Sequence, residues 1–298
     1  MRFDDEGGRL LIRDGEGDDA LVLVEYVYEP TEPQLESPRP YALLRTPGGR
    51  EVTAYRPDDH VWHKGLSLAL PNVGPHNFWG GPTYVRDEGY VQLPNNGRQV
   101  HRAFVTWHTP GLARVDEDLD WITEQGDTLL TERRTLTARR VEDDAWALTW
   151  RSELTNVSMD AVPFGSPTTK GRADAGYAGI FWRAPAEFTG GAILGPGGEV
   201  GESARGAESP WLALVAPDES AGVLVLDPGG SPWFVRSADY AGAGPAPFFH
   251  DETVLGSGES LVLAAALIVG GPGVAALADR VGAALVAELR SVPQGVSA

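Results

Sequence analysis

The alternation of apolar and polar residues along short segments is the feature that most restricts the fold of this chain. It is clearest where Trp146, Leu148 and Trp150 alternate with Ala147 and Thr149. A period of two residues predicts a β-strand with one buried face. Similar runs, separated by clusters of Gly, Pro, Asn and Asp, predict antiparallel hairpins and meanders rather than βαβ units. These runs lie at 21–28, 41–45, 66–70, 84–93, 100–108, 128–136, 211–215, 222–227, 233–236 and 260–269.

One helix is predicted, at about residues 273–290 near the C-terminus. Its apolar residues recur in steps of three and four, which places them on one stripe, and Pro272 suits its first turn. The stripe consists of Val274, Leu277, Val281, Ala284, Leu285 and Leu289. We expect this helix to pack across the outside of a sheet. Because the chain contains no internal repeat of about 20 to 50 residues, we expect a single β-sandwich domain over residues 1–298 that includes the helix.

Charge and cysteine content exclude several classes of protein. The chain has 24 Lys and Arg against 42 Asp and Glu, and its net charge of −18 repels nucleic acid and anionic membrane surfaces. Cysteine is absent, so any metal would have to bind His, Asp or Glu. The N-terminus lacks the apolar run of a signal peptide, and no stretch of about 18 apolar residues occurs. We therefore expect a cytoplasmic protein without nucleic-acid or membrane partners.

Three of the six histidines lie close together in the sequence. His60 and His63 belong to the run Asp59-His60-Val61-Trp62-His63-Lys64-Gly65, and His76 follows after one predicted strand. The three imidazoles could converge on a divalent metal ion and leave a coordination position open. Alternatively, His60 or His63 could act as a general acid or base poised by Asp59, with no cofactor required. A third alternative is that all three are ordinary surface or hydrogen-bonded histidines.

Aromatic residues are interleaved with these histidines. Trp62 lies between His60 and His63, and Trp79 follows Asn77. A pyranose presents C–H faces that stack on aromatic rings and hydroxyls that bond to His, Asn and Asp, so this mixture is typical of a sugar site. The alternative is that such aromatics cap a sandwich core.

A second candidate segment, residues 165–185, is rich in glycine and in polar, cationic and aromatic groups. In it, Lys170, Arg172 and Arg183 could bind a carboxylate or stabilise developing negative charge, while Tyr177 and Trp182 could line the pocket. The alternative is a solvated connection.

Lysine is scarce, which draws attention to the two that occur. Lys64 and Lys170 are the only lysines in the chain, and each falls inside a candidate segment. An ammonium with a tunable pKa can do chemistry that a permanently charged guanidinium cannot. Further along, Arg236 and His250 lie next to predicted loops and are weaker candidates for substrate binding.

The order of these motifs resembles the PmoA-like family of bacterial proteins over most of the chain, a resemblance that implies no particular reaction. It depends on the segments Arg39-Pro40-Tyr41, Thr46-Pro47-Gly48-Gly49, Asp59-His60-Val61-Trp62-His63-Lys64-Gly65-Leu66, Asn77-Phe78-Trp79, Gly176-Tyr177-Ala178-Gly179-Ile180-Phe181-Trp182-Arg183-Ala184-Pro185 and Trp233-Phe234-Val235-Arg236.

The chain is also similar, more weakly, to galactose-mutarotase-like proteins. The similarity lies in Leu154-Thr155-Asn156 before a polar loop, in Gly258-Glu259-Ser260, and in Gly74-Pro75-His76-Asn77. It implies an antiparallel β-supersandwich and a carbohydrate ligand. The second histidine of mutarotases has no counterpart, because the loop after Asn156 carries Lys170 instead. This departure argues against simple aldose mutarotation.

Together, these observations predict an all-β protein, a large antiparallel β-supersandwich with a C-terminal helix, that binds a small carbohydrate. The leading hypothesis is an enzyme that acts on a sugar or oxidised sugar derivative as a lyase, an epimerase or a glycoside-cleaving catalyst. Its catalytic residues would be Asp59, His60, His63, Lys64 and Lys170, and its substrate-binding residues would be Trp62, His76, Asn77, Trp79, Arg172, Tyr177, Trp182, Arg183, Arg236 and His250.

Two other hypotheses stay open: a non-catalytic sugar-binding or sensor protein, and a metal-dependent oxygenase that uses His60, His63 and His76. The sequence leaves the oligomeric state undetermined.

Overall fold

The computed structural model describes residues 1–15, 17 and 20–291, and most of its regular structure is β-strand. The strands are β1 (Arg2–Asp5), β2 (Arg9–Asp14), β3 (Leu21–Val27), β4 (Tyr41–Leu44), β5 (Leu66–Ala69), β6 (Asn72–Val73), β7 (Thr83–Val85), β8 (Gly89–Val91), β9 (Arg98–Thr109), β10 (Leu112–Ile122), β11 (Thr128–Glu142), β12 (Ala145–Asn156), β13 (Val162–Gly165), β14 (Gly179–Arg183), β15 (Ala192–Gly195), β16 (Gly198–Glu199), β17 (Trp211–Val215), β18 (Gly222–Leu226), β19 (Trp233–Arg236), β20 (Gly242–Pro245), β21 (Thr253–Leu255) and β22 (Ser260–Gly270).

Two large antiparallel sheets form the sandwich. The first sheet has eight strands in the order β1-β2-β3-β4-β5-β14-β20-β19, and the second has nine in the order β16-β15-β17-β18-β22-β12-β11-β10-β9. A three-stranded sheet, β21-β13-β6, and the hairpin β7-β8 complete the β structure of the described residues. The predicted all-β supersandwich is therefore confirmed.

The core lies between the two large sheets. The side chains of Trp146 and Trp150 are buried in it, as the alternation in β12 predicts. The opposite face of β12 is also buried at Ala147, because the chain's C-terminal segment covers it. Half-buried Arg151 and Glu153 lie further along the same strand, where this cover ends.

The C-terminal segment packs on the outside of the second sheet, as predicted, but it is less regular than the apolar stripe suggests. It consists of a 3₁₀ turn at Pro272–Ala276, a wider π-type turn at Ala278–Gly282 and the α-helix α1 at Ala283–Ser291. Its apolar side chains, which include Leu277, Leu285 and Leu289, pack on the outer face of β12, β17, β18 and β22. No helix among the described residues is long and apolar enough to span a membrane.

The strand prediction for residues 84–93 needs correction, and strand β10 was not predicted. The run at 84–93 forms the hairpin β7-β8 rather than one strand, because Asp87 and Gly89 adopt positive φ angles and turn the chain. In strand β10 the apolar residues Ala113, Val115, Leu119 and Trp121 alternate with charged residues, but Glu117 interrupts the apolar face. The strand forms because Glu117, although charged, faces the interior and finds hydrogen-bond partners there.

That interior position belongs to a buried polar network inside the sandwich. Arg134 donates to both carboxylate oxygens of Glu132 at 2.7 and 2.8 Å and to the Tyr26 hydroxyl at 2.9 Å. The Tyr26 hydroxyl in turn bonds to Glu117, and His101 Nδ1 lies 2.8 Å from the same carboxylate. Because a buried charge is costly unless it is paired, these groups depend on one another.

The substitution Arg134→Met would leave the buried carboxylate of Glu132 without its cation and would remove the donor to the Tyr26 hydroxyl. We expect it to lower the free energy of unfolding by about 3–5 kcal/mol, measured by urea denaturation. Arg133→Met is the matched control, because this neighbouring side chain is 69% exposed. A variant at Arg134 as stable as the control would contradict the role given to the network.

Candidate functional site

The segment that carries the paired histidines is a loop leading into β5. A bridge between Tyr55 and Lys64 closes it. Within it, the backbone N–H of His60 donates to the carbonyl of Pro57 and that of His63 to the carbonyl of His60, each at 2.9 Å. These turns bring the two imidazoles into parallel stacking, with ring centroids 4.6 Å apart and an interplanar angle of 12°.

Asp59 connects the first histidine to the second candidate segment. Its Oδ2 lies 2.8 Å from Nδ1 of His60, and both of its oxygens accept from Nη2 of Arg183, at 2.9 and 3.0 Å. Partial burial raises the pKa of Asp59, but the hydrogen bonds from His60 and Arg183 outweigh it, so the net shift is downward. The carboxylate is therefore ionised and fixes both partners.

His63 is held in the neutral form. Its side chain is buried, and its Nδ1 lies 3.3 Å from Nη1 of Arg183. A guanidinium can only donate, so Nδ1 accepts this bond and the ring proton is on Nε2. Burial is the largest cause that lowers the pKa of His63 well below its usual value, and neighbouring cations, Arg183 among them, lower it further.

Alternation along β14 sends one set of side chains to the site and the other to the core. Phe181 and Arg183 face the histidines, whereas Ile180 and Trp182 face the main core. The indole of Trp182 is fully buried and donates to the carbonyl of Val52 at 2.7 Å. The prediction that Trp182 binds substrate is therefore wrong, because the strand period places it on the opposite face from Arg183.

Strands β20 and β19 extend the same surface. Arg183 pairs with Gly242 on β20, and Gly242 pairs with Arg236 on β19, so the two arginines lie in one row across three strands. A Cβ on Gly242 would lie 2.8 Å from the ring of Phe181, so glycine leaves that ring its space. Phe234 lies two residues before Arg236, as Phe181 lies two before Arg183, and the two phenyl rings are 6.0 Å apart.

Six aromatic side chains therefore meet beside the histidines, and we call them the aromatic platform. Trp79, Phe181 and Phe234 are buried, and the other three are half-buried. Tyr177 packs on Trp79 at 4.5 Å and on Phe234 at 5.4 Å between ring centroids. The platform consists of Trp62, Trp79, Tyr177, Phe181, Phe234 and Tyr240.

Tyr240 joins the platform to the charged groups. The Arg183 guanidinium carbon lies 3.9 Å from its ring centroid, and the rings of His60 and His63 lie at 5.5 and 5.8 Å. Burial raises the pKa of Tyr240 in spite of the nearby arginines, so the phenol stays protonated. No motif in the sequence indicates this residue.

The buried Arg39, which was also not predicted as a site residue, holds the backbone of two platform residues. Arg39 donates to the carbonyl of Trp62 at 2.8 Å, to that of Trp79 at 2.9 Å and to that of Ser37 at 3.0 Å, and its Nε bonds to the Ser67 hydroxyl. Burial lowers its pKa to about 10. Arg39 thus fixes the two loops that carry the platform tryptophans.

Asn77 has a similar supporting role rather than the predicted contact with substrate. It is 1% exposed, its Oδ1 accepts from the backbone N–H groups of Trp79 and Gly80 at 2.8 and 3.0 Å, and its Nδ2 donates to the carbonyl of Gly81. Gly81 has φ +68°, and a Cβ there would lie 2.7 Å from the indole of Trp62. The tight turn is thus what allows Trp62 to lie over this backbone.

The two lysines do not join the histidines within the described part of the chain. The Lys64 side chain is fully buried, pairs with Glu36 and donates to the carbonyl of Val61 at 2.9 Å. Burial lowers its pKa to about 8. Lys170 instead forms an ion pair with Glu252 at 2.6 Å. The structure thus gives both amines structural partners in place of the predicted catalytic contacts.

His76 is separated from the other two histidines by the length of β5. The loop with His60 and His63 precedes this strand, while His76 follows it and bridges to Val73. Among residues 1–15, 17 and 20–291, no group of three His, Cys, Asp or Glu side chains could hold a metal ion. The predicted three-histidine metal site is therefore not formed among these residues.

Two further candidates lie at the margin of the site. Arg172 donates to the Tyr90 hydroxyl and packs over that ring at 4.6 Å, and Tyr90 bonds through its hydroxyl to Tyr177 at 2.8 Å. The exposed His250 places its Nε2 2.9 Å from the carbonyl of Gly206. Arg172 therefore contacts Tyr90, which in turn contacts the platform residue Tyr177. His250 contacts a backbone carbonyl.

A family model described as a family of unknown function, DUF6807, matches residues 17–276. The chain belongs to this family. Its description names neither PmoA nor a reaction, so membership of DUF6807 establishes no activity for the chain. No curated protein matches the chain.

Several solved structures have a similar arrangement at low sequence identity. They include the heparan sulfate lyase HepC from Pedobacter heparinus (TM-score 0.45, 7% identity, 89% of this chain and 35% of that one) and Slr1438 from Synechocystis sp. PCC 6803 (TM-score 0.39, 10% identity, 84% and 92%). Galactose 1-epimerase from Lactobacillus acidophilus NCFM is another (TM-score 0.38, 9% identity, 88% and 97%). This DUF6807 chain spans about a third of the lyase's length. Such low TM-scores and identities say nothing about its activity.

A pH effect on stability follows from the neutral state of His63. Below its usual pKa of about 6.5 the unfolded chain takes up a proton that the folded site excludes, so stability falls as the pH decreases. The contribution of His63 to this pH dependence approaches about 1.4 kcal/mol per pH unit. We expect His63→Gln to abolish it, as measured by urea unfolding at about pH 7 and at about pH 5. The exposed His108→Gln variant should keep the wild-type slope. Equal slopes for all three proteins would contradict the assignment.

Proposed function

We propose that this member of DUF6807 is an enzyme that transfers protons on a sugar or an oxidised sugar derivative, with His60 as the general base. The observation that carries the proposal is the Asp59–His60 pair, held by Arg183 beside the aromatic platform. Lyase, epimerase and glycoside-cleaving reactions all require such a proton transfer.

The pair has the geometry of an oriented base. Nδ1 of His60 faces ionised Asp59 at 2.8 Å, so it carries the ring proton and leaves the Nε2 lone pair free to accept one. The His60 side chain is 36% exposed, so Nε2 can reach a bound molecule. The role of Asp59 is to fix the tautomer and to stabilise the imidazolium that forms.

His63 supplies the complementary function. Because it stays neutral with its proton on Nε2, it can donate a hydrogen bond to a substrate oxygen while His60 accepts a proton. Two stacked imidazoles with opposite tautomers therefore offer one acceptor and one donor. This arrangement suits a reaction in which a proton leaves one atom as charge develops on an oxygen.

The aromatic platform suits a pyranose. Its three half-buried rings, Trp62, Tyr177 and Tyr240, offer apolar surface for the C–H faces of a sugar. His60 is in edge contact with Trp62 at 5.4 Å between centroids, so a ring stacked here would lie next to the base. Lys64, Lys170 and His76 have no step in this mechanism.

The test compares His60→Gln with wild-type protein on D-glucose, D-galactose, D-glucuronate, D-galacturonate and their methyl glycosides. ¹H NMR in D₂O reports both solvent exchange at carbon and product formation. We expect the variant to lose about 10²–10⁴-fold in rate, the usual contribution of a general base. His108→Gln, at an exposed site on β9, should retain wild-type activity.

Wild-type turnover in the His60 variant would refute the assignment. Sugar binding by the wild-type protein without exchange or product would instead favour a non-catalytic sugar-binding or sensor protein.

A further inference from the structure

Three arginines border the aromatic platform, and two of them are already engaged. Arg183 has both terminal nitrogens committed, with Nη2 on Asp59 and Nη1 on His63, and its side chain is only 6% exposed. Arg172 donates to the hydroxyl of Tyr90 and lies over that ring. Arg183 therefore has no free pair of donors for a second anion in the fork geometry that carboxylates prefer. The Tyr90 ring separates Arg172 from the platform and from His60.

Arg236 differs because its partner is exchangeable. It pairs with Asp239 at 2.9 Å, three residues further along the chain, and the Asp239 side chain is 77% exposed. An exposed ion pair of this kind contributes little, so a better-placed carboxylate can displace it. The guanidinium carbon lies 5.9 Å from the ring of Phe234 and 5.7 Å from that of Tyr240, which holds it against the platform.

The strand register sets the distance between this arginine and the base. Arg183, Gly242 and Arg236 form one row, so the two arginines are separated by two interstrand spacings, about 9.5 Å between Cα atoms. Arg183 holds Asp59, and Asp59 holds His60, so the base lies at the Arg183 end of the row. Tyr240 connects the two ends, because its ring centroid lies 3.9 Å from the guanidinium carbon of Arg183 and 5.7 Å from that of Arg236. A sugar beside Tyr240 therefore has both His60 and Arg236 next to it.

We infer that the substrate is a sugar acid whose carboxylate binds Arg236 while its ring lies on the aromatic platform and faces His60. This inference rests on the proposed function and names the substrate class of that site. It also moves to Arg236 the anion-binding role that was predicted for Lys170, Arg172 and Arg183. In the bound state Asp239 turns to solvent and the substrate carboxylate takes its place.

The experiment measures binding, so it does not depend on turnover. Wild-type protein is titrated by calorimetry with D-glucuronate and D-galacturonate and with their neutral counterparts D-glucose and D-galactose. We expect the acids to bind more tightly, and Arg236→Gln to weaken acid binding by about 10- to 100-fold, as for a lost charged hydrogen bond, with neutral sugars unaffected. Asp239→Asn should strengthen acid binding, because it removes the competing carboxylate.

Arg102→Gln is the matched control, since Arg102 also pairs with an aspartate, Asp120, and its side chain is 62% exposed on the other sheet. It should leave all affinities unchanged. Equal affinity for acids and neutral sugars, unchanged acid preference in Arg236→Gln, or no binding of any of these sugars would overturn the inference.

The two proposals fail separately. Equal affinities together with turnover that depends on His60 would refute the sugar acid and leave the general base in place. A preference for acids that depends on Arg236, without turnover that depends on His60, would refute the enzyme and leave a binding protein for sugar acids.

Discussion

The contact between Arg183 and Asp59 is the interaction on which the rest of the candidate site depends. Arg183 comes from the centre of a sheet, where β14 lies between β5 and β20, so its backbone is fixed by pairing on both sides. Its guanidinium reaches the histidine loop, orients Asp59 and through it His60, and donates to His63. One cation thus sets the protonation sites of two imidazoles and connects a loop to a rigid scaffold.

The buried charges near the site divide into those that hold the scaffold and those that face the platform. Arg39 and Lys64 are buried beneath the histidine loop, where carbonyl oxygens and Glu36 satisfy them. Both cations also help to keep His63 neutral. Their hydrogen bonds offset the free-energy cost of burying them. As a result the geometry of the loop is fixed before any ligand binds, which is what acid–base chemistry requires.

The sequence predicted the fold class, a helix on the outside of a sheet and many of the side chains that meet at the candidate site. Eight of the predicted residues do surround one surface: Asp59, His60, His63, Trp62, Trp79, Tyr177, Arg183 and Arg236. These residues could be predicted from local sequence because rare residue types, His and Trp above all, are concentrated in short runs. Phe181 and Phe234 could have been added from the same runs, since each lies two residues before a candidate arginine on a strand.

The remaining features depend on contacts distant in sequence. Lys170 pairs with Glu252 and Lys64 with Glu36, and neither pairing has a local signal. His76 was misplaced because closeness in sequence was taken as closeness in space, although β5 intervenes. Tyr240 lies in a short bend without a motif, so only the pairing of β19 with β20 brings it to the arginines.

The most direct test of this account is the tautomeric state of the two stacked histidines, measured by ¹⁵N–¹H NMR of the imidazole nitrogens at neutral pH. If Arg183 and Asp59 govern the site, His60 carries its proton on Nδ1 and neutral His63 carries its proton on Nε2. The same tautomer in both rings, or a charged His63, would contradict it.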